Sequence, residues 1–487
     1  MIRSDLCEML KHGKSRLRRM PMRASLSMRI FMPMLLMLAG FLLTAVKDLP
    51  PQDLEARVDA YVLPYVQSNN FSGAILIAKS NKVLIRKAFG MANLELGVPN
   101  TPETRFHVAS ISKSFTAVAI ILLEQRGKLS TADPLIKFIP DYPNGDKITV
   151  HHLLVHTSGI PNVNNFSDYD AKSRFSHSLV KIISWFKHKP LEFSPGERYS
   201  YSNSNYNLLA YIIEKVSGQP YGEFLRKNIF APLGMKDTAH DGDPAAIIKN
   251  RAYGYIPAGA RDLENAPPLV WSIKSGNGSI YTTVDDLYKW DRALYGDKLL
   301  NKASREKIFT DHINDVGYGW FIRKGGRRCV AINGRSPGFA ANLDRFIDDD
   351  ICIVMVANIY SSIVHTMADD LAALVFGEER QPLIPADPVE VDPVILESYV
   401  GRYQFGEDFI FNPGMIGEVK RKGDGLIIIS GGGGGGSCLI PQREDRFLDR
   451  LYGGIVSFVK DAQGKTVHLI WNFGQDYKAD QIKEKQE

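Results

Sequence analysis

One stretch of the chain joins a polar start to a long apolar run: Ser110-Ile-Ser-Lys-Ser-Phe-Thr-Ala-Val-Ala-Ile-Ile-Leu-Leu-Glu-Gln-Arg126, followed by Gly127. The length and apolar content of this stretch predict a buried helix that ends at the glycine. Residues three positions apart on a helix share a face, so Ser110 and Lys113 place a hydroxyl beside an amine. A serine hydroxyl is a weak nucleophile that needs a neighbouring base. The pair is therefore the first candidate for a catalytic centre.

The Ser-x-x-Lys spacing carries little information alone, because the chain contains it five times, starting at Ser110, Ser178, Ser184, Ser304 and Ser457. Most copies of so short a pattern lie on solvated surfaces. The copy at Ser110 differs because it begins an apolar segment, and burial lowers the pKa of a lysine toward the range that a base needs. A helix start also favours developing negative charge. These features favour the copy at Ser110 over the other four.

A second polar cluster, Tyr201-Ser-Asn203, lies just before another helical segment. A phenol beside a lysine can act as a base or pass a proton to a leaving group, and an asparagine amide can hold both the lysine and a substrate carbonyl. The same Tyr-x-Asn spacing at Tyr142-Pro-Asn144 lies among turn-forming residues and indicates a turn. A purely structural turn remains the alternative for Tyr201 and Asn203.

Further short motifs surround these two clusters in a fixed order along roughly residues 52–378. They are Leu153-Leu-Val-His-Thr-Ser-Gly159, Ile229-Phe-Ala-Pro-Leu-Gly-Met235, Gly276-Asn-Gly-Ser-Ile-Tyr-Thr-Thr283, Gly317-Tyr-Gly-Trp320 and Pro337-Gly-Phe339. With these motifs the chain resembles the class C β-lactamase and penicillin-binding-protein-like superfamily of serine hydrolases, which includes DD-peptidases, D-aminopeptidases and β-lactamase-like esterases. Each motif is weak alone, but the ordered set is specific.

The resemblance implies an α+β fold of the β-lactamase/transpeptidase type, in which helices and a helical subdomain flank an antiparallel sheet. It also implies that Ser110 forms an acyl-enzyme, that Lys113 and Tyr201 move protons, and that Asn203 positions the substrate. His156 is structural in the family, which leaves a Ser-His-Asp arrangement as a minor alternative. The substrate would be a small molecule or a peptide, and no metal or cofactor is expected.

The third motif of the family, Lys/His-x-Gly, is altered in this chain. Counting back from Pro337 places Ile332, Asn333 and Gly334 at that motif, so an isoleucine replaces the cationic or imidazole residue. The retained glycine still permits close approach of the backbone to a substrate. The backbone N–H groups of Ser110 and the residue after the glycine, Arg335, can still form an oxyanion hole.

Asn203, Asn333, Gly334 and Arg335 are accordingly the predicted substrate-binding residues. Isoleucine cannot bind a carboxylate, which weakens the β-lactamase and DD-peptidase interpretations specifically. Either Arg335 or Arg328 is available in sequence as a substitute cation. Three functions stay open: an esterase, amidase or peptidase; a true β-lactamase or DD-peptidase; and a non-catalytic penicillin-binding-like sensor or scaffold.

Net charge argues against nucleic acid as a partner. The chain carries a formal charge of +5, but residues 1–29 hold eight Lys or Arg and two Asp or Glu, which leaves the remainder near −1. Such a balance provides no general attraction to nucleic acid. The basic start precedes an apolar run at 30–46, which predicts a signal peptide or a membrane anchor within 1–47. The protein is therefore expected to be exported, either periplasmic or anchored in the inner membrane and facing the periplasm.

The chain divides into a predicted hydrolase domain at 52–378, a proline-rich linker at 379–394 and a β-rich domain at 395–482. Pro382, Pro385 and Pro388 mark the linker. The glycine run at 431–436 lacks the Lys-Ser/Thr of a phosphate-binding loop and predicts a loop between strands. The cysteines show no metal-ligand spacing, and the sequence leaves open whether Cys329 pairs with Cys352.

Overall fold

A computed structural model of the protein describes residues 51–384, 389–409, 413–423, 425–430 and 436–482. The predicted leader at 1–47 lies outside these residues, as does most of the glycine run and a short part of the predicted linker.

The core of the larger domain is a six-stranded antiparallel sheet with the order β10-β11-β12-β13-β1-β2. The β-type runs at 73–79 and 82–90 predict a hairpin with a two-residue turn, and strands β1 (Gly73–Lys79) and β2 (Lys82–Phe89) form it. Both turn residues, Ser80 and Asn81, have positive φ angles, of 49° and 61°. This backbone suits a two-residue hairpin turn. The strands of this domain are β1 Gly73–Lys79, β2 Lys82–Phe89, β3 Met91–Asn93, β4 Val98–Pro99, β5 Phe106–His107, β6 Ala239–His240, β7 Tyr255–Pro257, β8 Leu263–Asn265, β9 Ile280–Thr282, β10 Phe321–Arg323, β11 Cys329–Ser336, β12 Phe339–Phe346 and β13 Ile351–Ala357.

Helices cover both faces of this sheet. The helices, with their bounds, are α1 Pro51–Gln67, α2 Ser112–Gln125, α3 Val150–Leu154, α4 Tyr169–Lys172, α5 Leu179–Ser184, α6 Asn203–Ser217, α7 Tyr221–Leu225, α8 Ala231–Leu233, α9 Val284–Ala293, α10 Lys302–Ile308, α11 Ile363–Val375 and α12 Pro393–Glu397. One apolar cluster joins α1 and α11 to the sheet, and a second contains α2 and α6. Helix α2 is buried from Ser112 to Leu123, as its composition predicts.

The C-terminal strands close into an antiparallel barrel, because the first strand pairs with the last. Its strands are β14 Gly401–Phe405, β15 Ile416–Lys422, β16 Gly425–Ser430, β17 Ser437–Arg443, β18 Arg446–Asp449, β19 Ile455–Lys460, β20 Thr466–Asn472 and β21 Asp476–Ile482. Side chains such as Tyr403, Phe447 and Trp471 fill a separate apolar core. The expected α+β class and the β-rich C-terminal domain are thus confirmed.

The cysteines within the described residues are buried free thiols. Cys329 and Cys352 lie on β11 and β13, which β12 separates, and each pairs across the ladder with a residue of β12. The disulfide that the sequence left open is therefore absent between these two residues. Among the described helices, none combines the length and apolar content needed to cross a bilayer.

Candidate active site

The candidate nucleophile lies in a single tight turn directly before α2. Ser110 is the middle residue of a 3₁₀ turn, Ala109–Ile111, and Ala109 has a φ of +44°, in the left-handed region. A non-glycine residue there costs about 1–3 kcal/mol and persists only where the surroundings hold it. Strand β11 supplies part of that support. A Cβ atom on Gly334 would lie 2.2 Å from the Val108 carbonyl oxygen and 2.7 Å from the Ser110 nitrogen. Only glycine allows the strand to approach this closely.

Two side chains reach the Ser110 hydroxyl. The Oγ atom lies 3.0 Å from Lys113 Nζ and 2.9 Å from the Tyr201 hydroxyl. Lys113 is three residues along the chain, whereas Tyr201 comes from the segment before α6, 91 residues away. The structure thus brings together the three residues that the two sequence clusters predict.

Lys113 has two further partners, and both are carbonyl oxygens. Its Nζ lies 2.8 Å from Asn203 Oδ1 and 2.8 Å from the Asn277 backbone oxygen. A neutral amine has two N–H donors and one lone pair, so these oxygens can accept both N–H bonds and leave the lone pair for the Ser110 O–H. Burial lowers the pKa of Lys113 well below its ordinary value, and the positive charge of Lys274 lowers it further. The environment therefore favours the neutral, basic form.

Tyr201 is held in the opposite protonation state. Burial raises the pKa of its hydroxyl above the ordinary value, although the hydrogen bond with Ser110 lowers it in part. The phenol therefore stays protonated near neutral pH and can donate a hydrogen bond to Ser110 Oγ. A base with a lowered pKa beside an acid with a raised pKa is the arrangement expected of paired catalytic groups. Of the two sequence-level options for Tyr201, the structure favours a proton carrier over a phenolate base.

Asn203 begins α6 and is fixed by two other asparagines. Its backbone N–H donates to Asn162 Oδ1 at 3.1 Å, and its side-chain Nδ2 donates to Asn164 Oδ1 at 3.0 Å. This leaves Asn203 Oδ1 directed at Lys113. The amide therefore orients the lysine. Contact between Asn203 and a substrate carbonyl stays a prediction.

His156 packs beneath Tyr201 and does not form a hydrogen bond with Ser110. Its ring lies 4.5 Å from the Tyr201 ring and 5.2 Å from the Tyr206 ring. Its Nδ1 accepts a hydrogen bond from the Ser202 backbone N–H at 3.2 Å. Burial lowers the pKa of this imidazole to about 3. A neutral histidine with these contacts supports the tyrosine, in line with the structural role that the family resemblance implies.

The altered third motif lies on the open edge of β11. Strand β10 pairs with β11 only as far as Ala331, so the residues that follow border a cavity. Ile332 is 3% exposed and points an aliphatic side chain into the region where the family places a cation. Asn333 and Arg335 also line the cavity. Arg328 lies in a different depression, beside Tyr295, so only Arg335 is placed to replace the missing cation.

The cavity has a volume of about 270 Å³. It is lined by Ser110, Lys113, Leu154, His156, Tyr201, Asn203, Tyr206, Val316, Gly317, Gly319, Trp320, Phe321, Ile332, Asn333, Arg335 and Tyr360. Gly334 forms the wall behind Ser110. Sequence reasoning missed three contributors: the Asn277 carbonyl, Lys274 and Tyr360. The motif that starts at Gly276 contained a signal for Asn277, whereas Lys274 and Tyr360 carry no distinguishing pattern.

Groups of three or more His, Cys, Asp or Glu side chains placed to hold a metal do not occur within the described part of the chain. The residues around Ser110 are a hydroxyl, an amine, a phenol and amides, which are suited to nucleophilic and proton-transfer chemistry.

Comparison with known proteins gives four consistent similarities. Residues 58–376 match the family model described as Beta-lactamase. Penicillin-binding protein 4* of Bacillus subtilis is 30% identical over 443 residues, which cover 85% of this chain and 95% of that protein. The crystal structure of a penicillin-binding protein from Bacillus halodurans is 29% identical with a TM-score of 0.58, and the match covers 64% of this chain and 99% of that one. An octameric penicillin-binding protein homologue from Pyrococcus abyssi is 27% identical with a TM-score of 0.60 and covers 88% and 99%.

Proposed function

Because the chain belongs to the beta-lactamase family, we propose that it is a serine hydrolase that cleaves an ester or amide bond through an acyl-enzyme on Ser110. One observation carries this proposal. The Ser110 Oγ lies within hydrogen-bonding distance of both Lys113 Nζ, at 3.0 Å, and the Tyr201 hydroxyl, at 2.9 Å, in an accessible cavity. A nucleophile flanked by a base and an acid is the arrangement that acyl transfer requires.

In the acylation step, the Ser110 oxygen attacks the substrate carbonyl carbon while its proton passes to the lone pair of Lys113. The negative charge that develops on the carbonyl oxygen faces the backbone N–H groups expected from Ser110 and Arg335. Tyr201 then donates its phenolic proton to the departing alcohol or amine and regains a proton from Lys113. The bond to the leaving group breaks, and an ester with Ser110 remains.

In the deacylation step, a water molecule attacks the same carbonyl carbon and gives its proton to the neutral amine of Lys113. The Ser110 oxygen leaves and recovers a proton, which releases a carboxylic acid and restores the site. Lys113 thus serves as the base in both steps.

The test is intact-mass measurement after mixing the purified protein with a short-chain aryl ester, in parallel with turnover of that ester. We expect a transient mass increase equal to the acyl group and release of the phenol. Ser110→Ala should show neither. If the wild-type protein is never acylated and never releases product, the chain is the non-catalytic sensor or scaffold instead.

The substrate preference follows from Ile332. A β-lactam carries its carboxylate at a fixed place on its ring, and Ile332, at the family's cation position, cannot bind a carboxylate there. Arg335 lies three residues further along the strand, so it would serve a carboxylate placed differently. We therefore propose that esters and amides are turned over well and that β-lactams acylate Ser110 with slow turnover. The names of the penicillin-binding relatives support acylation by penicillin. Rapid hydrolysis of nitrocefin by the pure protein would favour a true β-lactamase.

We also propose that the enzyme acts outside the cytoplasm. The support is the basic and apolar character of residues 1–47 and the relationship to penicillin-binding proteins. Cell fractionation of the producing organism, with and without residues 1–47, tests the proposal. Recovery of the full-length chain in the cytoplasm would contradict it.

A further inference from the structure

Arg335 is held in the cavity by the C-terminal barrel. Its Nη1 donates to the Leu451 backbone oxygen at 2.9 Å. Its guanidinium carbon lies 5.1 Å from the centre of the Tyr452 ring and 5.5 Å from that of the Tyr360 ring. Two of these three contacts come from the β18–β19 turn, defined as residues 449–454, and the third comes from the hydrolase domain. The guanidinium is thus clamped between the two domains.

The β18–β19 turn is itself rigidly built. The Asp449 side chain is buried and accepts hydrogen bonds from the backbone N–H groups of Leu451, at 2.8 Å, and Tyr452, at 3.1 Å. Ser437 on the neighbouring strand donates its hydroxyl to the same carboxylate. These bonds fix the direction of the Leu451 carbonyl, which also accepts from the Ser362 backbone N–H at 2.7 Å. The carbonyl that holds Arg335 is therefore not free to rotate.

The next residue of the turn attaches the barrel to the hydrolase domain. Arg450 is fully buried, and its guanidinium donates to Asn70 Oδ1 at 2.9 Å, to the Asn69 oxygen at 2.8 Å and to the Asp262 oxygen at 3.0 Å. A buried charge with so many neutral acceptors is costly to displace. The position of the turn relative to the cavity is therefore fixed from both domains.

Charge in the cavity is concentrated on Arg335. The lining of the cavity contains three side chains that can be cationic, Lys113, His156 and Arg335, and no acidic side chain. Burial lowers the pKa of Lys113 well below its ordinary value and that of His156 to about 3, so both disfavour the cationic form. Within the described part of the chain, no carboxylate contacts the Arg335 guanidinium directly, and its positive charge acts at longer range on the buried Asp449 carboxyl, where it lowers the pKa in part. Its hydrogen bond to Leu451 and its ring contacts leave guanidinium N–H donors for another group. An arginine fork matches the geometry of a carboxylate.

We propose that Arg335, clamped by the β18–β19 turn, recognises a carboxylate on the substrate's leaving group, so that the barrel is part of the specificity apparatus. This inference rests on the proposed function. It replaces the cation lost at Ile332 with one from three residues further along the same strand. The backbone N–H of Arg335 is one of the two expected to face the reacting carbonyl, and its side chain contacts Leu451, Tyr452 and Tyr360. A preference for leaving groups that carry a carboxylate then depends on the C-terminal barrel, which contributes no reacting atom.

The experiment compares two substrates that differ only in charge. One is hippuric acid esterified to meta-hydroxybenzoic acid, and the other is the same acid esterified to meta-hydroxybenzamide. The measured quantity is the ratio of kcat/KM for the acid to kcat/KM for the amide, which cancels losses of folded enzyme. We expect Arg335→Gln to lower this ratio about tenfold to a hundredfold, the range of one charged hydrogen-bonded contact. Arg335→Lys should restore part of it.

A second variant tests the barrel without touching the arginine. Tyr452→Leu removes one ring from the clamp and should lower the ratio about twofold to fivefold, as expected for a cation–π contact. Arg443→Gln is the matched control, because Arg443 lies on the barrel surface and pairs with Asp445 at 2.6 Å. It should leave the ratio unchanged.

The possible failures are distinct. Equal losses for both substrates in Arg335→Gln would show that Arg335 does not read the carboxylate. A wild-type ratio in Tyr452→Leu would remove the barrel from the specificity apparatus. If the wild-type enzyme acts on neither substrate and Ser110 is not acylated by either, the proposed function falls and takes this inference with it.

Discussion

Two regions of this protein share the pattern Ser-x-x-Lys at the start of a helix but differ in burial and in hydrogen bonding. At the first, Ser110 precedes α2, and Lys113 is 3% exposed and points at the Ser110 hydroxyl. At the second, Ser178 precedes α5, and both Ser178 and Lys181 are exposed. There the serine oxygen accepts a hydrogen bond from the Lys181 backbone N–H at 3.3 Å. The same pattern thus forms a base–nucleophile pair in one place and a helix cap in the other.

The difference shows what keeps a lysine side chain neutral, so that it can accept a proton. The Lys181 side chain is exposed to water, which solvates an ammonium ion well. Lys113 is removed from water and meets two carbonyl oxygens and a second buried cation, Lys274, but no carboxylate. Burial without a counter-ion favours the neutral amine. The chemistry therefore comes from the surroundings that the fold supplies, rather than from the spacing of the two residues.

The largest expected effect separates the two serines by activity. Ser110→Ala should lower kcat/KM for an aryl ester by about four orders of magnitude or more, because no acyl-enzyme can form. Ser178→Ala should stay within about twofold of wild type, since that hydroxyl only caps a helix. Steady-state hydrolysis of the ester measures both. Near-wild-type activity in Ser110→Ala would remove the distinction between the two regions.

The two lysines should differ next. Lys113→Met removes the base and should lower kcat/KM by about 10²- to 10⁴-fold, the range for loss of general base catalysis. Lys181→Met should have no measurable effect on hydrolysis. Circular dichroism and thermal unfolding of both variants serve as controls for folding. Equal activity in the two variants would show that Lys113 is not the base.

Lys274 allows the electrostatic part of the comparison to be tested alone. Burial lowers the pKa of Lys274 to about 8, so it remains cationic at neutral pH and disfavours protonation of Lys113. Lys274→Met removes that repulsion, so the pKa of Lys113 rises. The rising limb of the pH profile of kcat/KM should move to higher pH, with about a tenfold loss on the acidic limb, below the Lys113 pKa, if the shift is one unit. The high-pH plateau should be retained; an unshifted limb would contradict the assignment.

The smallest expected effect is on stability, where Ser178 should matter more than Ser110, the reverse of their order for activity. Ser178→Ala removes the side-chain acceptor at the start of α5 and should lower the free energy of unfolding by about 1 kcal/mol. Ser110→Ala removes no cap, and water in the accessible cavity can replace its hydrogen bonds to Lys113 and Tyr201, so we expect a change of less than about 0.5 kcal/mol. Urea unfolding followed by tryptophan fluorescence provides the measurement. A larger loss of stability at Ser110 than at Ser178 would overturn this expectation.

Local patterns in the sequence predicted much of the fold. The helix α2 and the hairpin of β1 and β2 lie within a few residues of their expected bounds. The apolar run from Val364 to Phe376 likewise predicts a closing helix, and α11 spans Ile363–Val375. Their apolar content and turn residues are encoded within short windows. Closure of the barrel could not be predicted, since it depends on β14 pairing with β21 across the whole domain.

In the candidate site, too, local patterns predicted some residues, and contacts between distant segments could not be predicted. The four residues of the two polar clusters meet as the family resemblance implies, although their roles in catalysis stay predictions. Lys274 had no recognisable motif, and its importance depends on burial beside Lys113. The contact between Arg335 and Leu451 joins residues 116 positions apart in sequence. Such contacts depend on how the two domains pack, which no local pattern of residues encodes.

The contacts of Arg450 determine when, during synthesis of the chain, the two domains can join. A ribosome delivers Asn69 and Asn70, two of its partners, some 380 residues before the arginine itself. Strand β1, which lies between β13 and the edge strand β2, likewise pairs with β13 only after β13 has been synthesised. The clamp on Arg335 is thus completed late in translation, after almost the entire chain has been made. A chain interrupted before residue 450 would still carry the nucleophile, Ser110. It would lack the contact with the barrel that positions the guanidinium of Arg335.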